Sequence, residues 1–129
     1  MHRLTLRVLS GRFAVCRLAP GTPVPAPSGD EELWSVTRTP EEVSVVLPET
    51  SVQPGWKAET GFLALQVAGP LDFSLTGVLA SIADPLAEAE ISLFAIATFD
   101  TDYVLIRETD LGRAREALTA VGHSLMYLM

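Results

Sequence analysis

The chain has 129 residues, 48% hydrophobic and 19% charged, which suits one compact domain or two very small ones sharing a core and excludes a disordered chain. No apolar run approaches the ~20 residues that cross a bilayer, so no membrane span is expected. The net charge of −7 is concentrated in residues 61–129, with 9 acids against 3 bases; without a basic cluster to neutralise phosphates, neither nucleic acid nor an anionic membrane is an expected partner.

The N-terminal stretch MHRLTLRVLSG alternates polar and apolar residues, whereas a secretory signal needs a continuous apolar segment, so a cytoplasmic location is expected. Leu4, Leu6 and Val8 share one face of a half-buried strand. After Ser10-Gly11 the run RFAVCRLA is compatible with its hairpin partner. Cys16, the lone cysteine, rules out an intrachain disulfide or a cysteine-based zinc site and reads as a small buried apolar residue.

PGTPVPAPSGDEE follows, with four prolines and two glycines in thirteen residues, a composition that neither a helix interior nor a central strand tolerates. It reads as an exposed loop. LWSVTRT and EVSVVLPE are two further strands, separated by Thr39-Pro40-Glu41-Glu42, where Thr39 as cap and Pro40 as first residue would start one short helical turn. A second break at QPG, residues 53–55, precedes a change of pattern, and a subdomain boundary is expected near residue 60.

FLALQVA is a strand, and the loop Gly69-Pro70-Leu71-Asp72 leads from it into a helix whose apolar stripe is Leu75, Val78, Leu79, Ile82 and Leu86. Pro85 either kinks that helix near Ala83-Asp84 or begins a new turn capped by Asp84. ISLFAIATF is a strand, FDTD turns the chain, and YVLIRE is the returning strand. A final helix buries Leu111, Ala114, Leu118 and Val121, with Asp110 as N-cap and Gly122 as its stop. The order from residue 61 to 123 is β-α-β-β-α, an α+β arrangement of two helices on one face of a sheet, and a ferredoxin-like half-domain is expected.

Three stretches, GPLDFSLTGVLASIADPLAEAEIS, SLFAIATFDTDYVLI and DLGRAREALTAVGH, resemble an ACT domain, the ferredoxin-like module that binds amino acids and regulates metabolic enzymes. They are similar to a subgroup of stand-alone tandem ACT proteins related to the ACT regions of aspartate kinases and to the animal cytosolic arginine sensors. The resemblance implies tandem modules: residues 1–60 as a reduced, strand-rich ACT-like subdomain and residues 61–129 as the C-terminal ACT domain. It also implies an amino acid or similar small molecule as ligand, bound where ACT modules meet, with Ala97, Thr98 and the neighbouring main chain contributing.

The loop Gly69, Pro70, Leu71, Asp72 and Phe73 offers unpaired N–H groups and a helix N-terminus to a ligand carboxylate, while Asp72 equally serves as the helix cap. Asp100 and Asp102 are favoured turn residues in their own right. As alternate residues of an extended strand they also face one way, where together they suit an ammonium or guanidinium group. A sheet edge is equally suited to a homodimer or another protein partner, which keeps open a second reading, a structural or interaction module with a vestigial pocket. His2 and His123 lack a metal-ligand spacing, and no GxSxG, P-loop or dinucleotide fingerprint is present. No cofactor is implied, and a ligand-binding regulatory domain is favoured over an enzyme.

Overall fold

The computed structural model describes residues 2–68 and 76–127. These divide into two compact units, Gly11–Phe62 and a second formed by Met1–Ser10 with Leu63–Met129. The segment before Ser10 is thus grouped with the C-terminal part of the chain, because its strand pairs there.

The Gly11–Phe62 unit is built from strands. β2 (Phe13–Leu18), β3 (Ser35–Arg38) and β4 (Val43–Pro48) join the first part of β5 (Lys57–Val67) in the antiparallel order β3-β4-β2-β5. One face carries Ala14, Cys16, Leu18, Val43, Val45 and Leu47, all buried, with Val24, Trp34, Val52, Trp56 and Ala58 packed over them. The burial of Cys16 pushes its thiol up, in keeping with a core role. The proline-rich segment is an exposed loop, as expected; Val24 packs against this core and Leu33, just beyond the segment, is buried, and the Glu31 carboxylate gathers the N–H groups of Ser28 (3.1 Å) and Gly29 (3.0 Å) with the Ser28 hydroxyl (3.0 Å). The helical turn expected at Thr39-Pro40 does not form. Thr39 instead closes a hairpin turn, its N–H donating to Glu42 O at 2.9 Å and its Oγ1 accepting from the Glu41 and Glu42 amides, and strand pairing on both sides leaves no room for a helix.

In the other unit, β1 (Thr5–Val8) lies antiparallel to the second part of β5 and parallel to β8 (Ser124–Tyr127). β7 (Asp102–Arg107) pairs with β5 and with β6 (Phe94–Ala97). The β1–β2 hairpin expected across Ser10-Gly11 is replaced by these pairings; Leu6 and Val8 find their apolar partners in Leu65 and Val67. α1 (Val78–Glu88) and α2 (Leu111–Ala120) supply Val78, Ile82, Leu86, Ala114 and Leu118, which form one core with Leu6, Val8, Leu65, Val67, Ile91, Val104 and Ile106. Alternation along each strand and three-four spacing along each helix put these side chains on one internal face. Leu79, counted in the expected stripe, is 38% exposed, and Leu75 lies outside the described residues. From β5 onward the order is βαββαβ, the ferredoxin-like pattern, one strand longer than expected because four residues at a sheet edge, SLMY, carry too little periodicity to announce themselves.

α1 runs through Pro85 without ending. A proline at that position cannot donate the N–H that the carbonyl four residues earlier would receive, here that of Ser81. His123 supplies the donor: its Nε2 lies 2.8 Å from Ser81 O, and its Nδ1 accepts the Leu4 N–H at 3.1 Å. Because a backbone N–H can only donate and a carbonyl only accept, the ring is the neutral tautomer with its proton on Nε2. It is 3% exposed and fully partnered. At α2, Asp110 stands at the N-terminus without a side-chain capping bond and instead accepts from Arg113 at 2.9 Å, since the short helical turn Glu108–Asp110 already leads into α2. Gly122, with φ +99°, ends the helix as expected; its N–H bonds Thr119 O and that of His123 bonds Leu118 O, the pairing that satisfies last-turn carbonyls.

Candidate functional site

Of the candidate ligand residues, Gly69, Pro70, Leu71, Asp72 and Phe73 lie outside the described residues. Ala97, Thr98, Asp100 and Asp102 are all placed on the β6–β7 connection. Ala97 closes β6 opposite Asp102, which opens β7. Between them the chain reverses at Thr98, Phe99 and Asp100, all exposed, while Asp102 is half-buried. The two carboxylates thus occupy different settings: Asp102 is held in a ladder, Asp100 stands in the bend. Phe99, 77% exposed, is the large apolar side chain at the tip.

The turn is closed by its threonines. The Thr98 amide donates to Thr101 O at 2.8 Å, the Thr98 hydroxyl donates to the same oxygen at 3.0 Å, and the Thr101 amide returns a bond to Thr98 Oγ1 at 3.3 Å. Thr101 itself is buried, 6% exposed, and its hydroxyl donates to the Val67 carbonyl at 2.6 Å. Sequence reasoning named Thr98 as a site residue and passed over Thr101. Its signal was present, a β-branched hydroxyl residue between two acids, but nothing in the sequence distinguishes a buried threonine in such a turn from an exposed one.

Next to the turn, the sheet carries a polar chain in which Arg7 Nη1 donates to Gln66 Oε1 (2.9 Å) and Gln66 Nε2 to the Tyr103 hydroxyl (3.0 Å). A separate pocket of about 190 Å³ lies along α1, lined by Ser81, Asp84, Pro85, Glu88, Val121 and His123. It is smaller than the ~300–1,000 Å³ of most ligand sites, and its histidine is already committed to two backbone partners. His2 is likewise engaged, its Nε2 2.7 Å from Thr76 O. Among the described residues no group of three or more His, Cys, Asp or Glu side chains is placed to hold a metal ion, and no helix is long and apolar enough to cross a membrane.

Comparison with known proteins decides the family. Residues 57–120 match the model for the ACT domain. This part of the chain belongs to the ACT-domain family. Residues 11–54 match a separate model, described as an N-terminal domain. Subunit 1 of the cytosolic arginine sensor for mTORC1 from Bos taurus is 30% identical over 95 residues, which cover 62% of this chain and 28% of that protein; the chain therefore spans well under half the length of this relative. A protein from Agobacterium tumefaciens of known crystal structure superposes with a TM-score of 0.91 at 30% identity, covering 100% of this chain and 96% of the other. The regulatory subunit of aspartate kinase from Thermus thermophilus superposes at 0.58 with 14% identity, covering 90% and 93% of the two chains, a likeness of fold. The α+β, ferredoxin-like ACT architecture and the similarity to arginine sensors expected from the sequence are both found, and the likeness to aspartate kinase regulatory regions is found as one of fold.

Proposed function

We propose that this chain is a small-molecule-binding regulatory protein that takes an amino acid and passes its occupancy to a partner, acting as a sensor rather than a catalyst. The observation that carries the reading is the ACT-domain turn at residues 98–102, where Thr98 and the acids Asp100 and Asp102 are gathered beside the end of β5. Asp102, a half-buried residue whose backbone is held in the first rung of β7, offers a carboxylate suited to an ammonium or guanidinium group with little backbone reorganisation on binding. The bovine relative is an arginine sensor, which supports a cationic amino acid as the first to test.

In this proposal Gly69 to Phe73 meet the ligand carboxylate, and Ala97, Thr98, Asp100 and Asp102 meet its amine or side chain. The placement of the ligand where ACT modules meet, the tandem organisation and a cytoplasmic setting rest on the family resemblance. Ligand closure would favour one assembly state, coupling binding to a protein partner or a second copy.

The test is thermal unfolding of the purified chain against the twenty common amino acids. A ligand selective for the native state at about 100 times its Kd raises stability by about 2.7 kcal/mol. Asp102→Ala, with fold retained, is expected to weaken that ligand by at least about tenfold, the order of a lost charge-assisted bond. Unchanged affinity in both Asp100→Ala and Asp102→Ala would remove the carboxylates from the site. If no amino acid stabilises the chain and sedimentation shows self-association indifferent to all twenty, the interaction-module reading takes its place.

A further inference from the structure

Within the 98–102 turn Thr98, Phe99 and Asp100 are exposed and Asp102 is half-buried, and the buried residue is Thr101. Its two ends do different things. The main chain of Thr101 closes the turn onto Thr98 through its carbonyl and its amide. Its side chain reaches out of the turn to the Val67 carbonyl, the last residue of β5, at 2.6 Å. A hairpin tip bonded only to itself twists and splays, since its last rung is held from one side. The Thr101 hydroxyl adds a tie to a strand outside the β6–β7 hairpin, directly before Asp102 enters the ladder opposite Ala97.

We propose that Thr101 is a positioning residue for the amino-acid site: it holds Thr98 and Asp102 in place through the Val67 carbonyl and does not itself touch the ligand. This rests on the sensor reading above. The chemistry requires both parts of the side chain to sit where they do, a methyl that can be buried and a hydroxyl that satisfies a carbonyl. Serine keeps the donor, and valine keeps the shape while leaving the Val67 carbonyl without its bond.

The experiment compares Thr101→Val and Thr101→Ser with the wild-type chain by calorimetric titration, using whichever of the twenty common amino acids stabilises the wild type at millimolar concentration. Thr101→Val is expected to weaken binding roughly five- to tenfold, the equivalent of one neutral hydrogen bond, and Thr101→Ser to bind within about twofold of wild type. Hydrogen exchange in the absence of ligand is expected to quicken at the Thr98 amide in Thr101→Val and to stay unchanged at Leu118 in α2. A folded Thr101→Val that binds as tightly as wild type would overturn the inference, leaving Thr101 a structural tie. Should Thr101→Val fail to fold, Thr101→Ser decides: a tenfold loss there would overturn it by placing the effect in the methyl. If no amino acid stabilises the wild type, the sensor reading falls first and this inference with it, a failure seen before any variant is made.

Discussion

The two units solve the same problem, covering one apolar sheet face, with different materials. In the unit that contains α1 and α2, regular helices deliver Val78, Ile82, Leu86, Ala114 and Leu118 onto Leu6, Val8, Leu65, Val67, Val104 and Ile106. In the Gly11–Phe62 unit the cover comes from irregular segments, through Val24, Trp34, Val52 and Trp56. Helical cover repeats every three or four residues and is fixed by its own backbone bonds. Irregular cover has no such internal ladder, so large side chains and local polar ties, such as Glu31 to Ser28 and Gly29, hold it in place. The cover of the helix unit is therefore ordered by aliphatic contact and helix backbone bonds, and that of the strand unit by large apolar side chains together with polar ties at the surface.

The sharpest break of this comparison is Leu86→Ala. Leu86 is fully buried in the helix-covered core, and its truncation removes transfer energy and leaves a cavity, a loss of about 2–5 kcal/mol. Denaturant unfolding should show it, with accelerated exchange of the α1 and α2 amides. A loss below 1 kcal/mol would mean that the helices are not held by this contact.

Somewhat smaller is the effect of His123. His123→Ala leaves the Ser81 carbonyl and the Leu4 amide without their partners, for an expected loss of about 1–3 kcal/mol. Pro85→Ala restores an N–H that can serve Ser81, so in that background His123→Ala should be milder, with a coupling of about 1 kcal/mol in a double-mutant cycle. Strict additivity would show that the histidine is not standing in for the missing amide. This pair also marks where a regular helix has been modified from outside, by a polar bond of the kind the strand unit uses.

These particulars show what could be read before the fold was seen. Wherever one residue's neighbours in sequence decide its setting, the sequence was legible: the alternation of β1 and β5, the stripe Val78, Ile82 and Leu86, the Gly122 stop, and the turn at FDTD. The family signal lay in the order of such features. What could not be read depends on residues far apart in the chain. β1 turns from β2 to pair with β5 and β8, because pairing is chosen by a whole apolar face and the adjoining Gly11 only permits a reversal. His123 gave no hint of its partners, since one, Ser81, is freed by Pro85 and the other, Leu4, is 119 positions away. In the candidate site, Asp100 and Asp102 could be located and Thr101 could not. Its burial follows from the end of β5, which no local pattern connects to that turn.

The smallest expected effect sharpens the comparison from the acid side. Backbone N–H groups of the Ser28–Glu31 loop, that of Ser28 foremost, hold the Glu31 carboxyl down to about 2. In the strand unit too, Arg12 and the Gly61 amide hold Glu49 below the usual carboxylate range. A carboxyl whose folded pKa lies below its unfolded value binds fewer protons in the native state, so its contribution is complete above the unfolded value of ~4.3 and is lost as the pH falls through the folded one. For Glu31 the window runs from about 4.5 down to about 2. Both side chains are close to solvent, so screening keeps the effect modest. The expected result is local: on acidification through that window, the Ser28 and Gly29 amides lose protection and shift in nuclear magnetic resonance spectra before those of α1 and α2. Glu31→Gln abolishes that early step while leaving the neutral-pH spectrum of the helix-covered unit in place. If the α1 amides moved first, the contrast would have to be reversed, with the polar ties of the strand unit the more acid-resistant of the two.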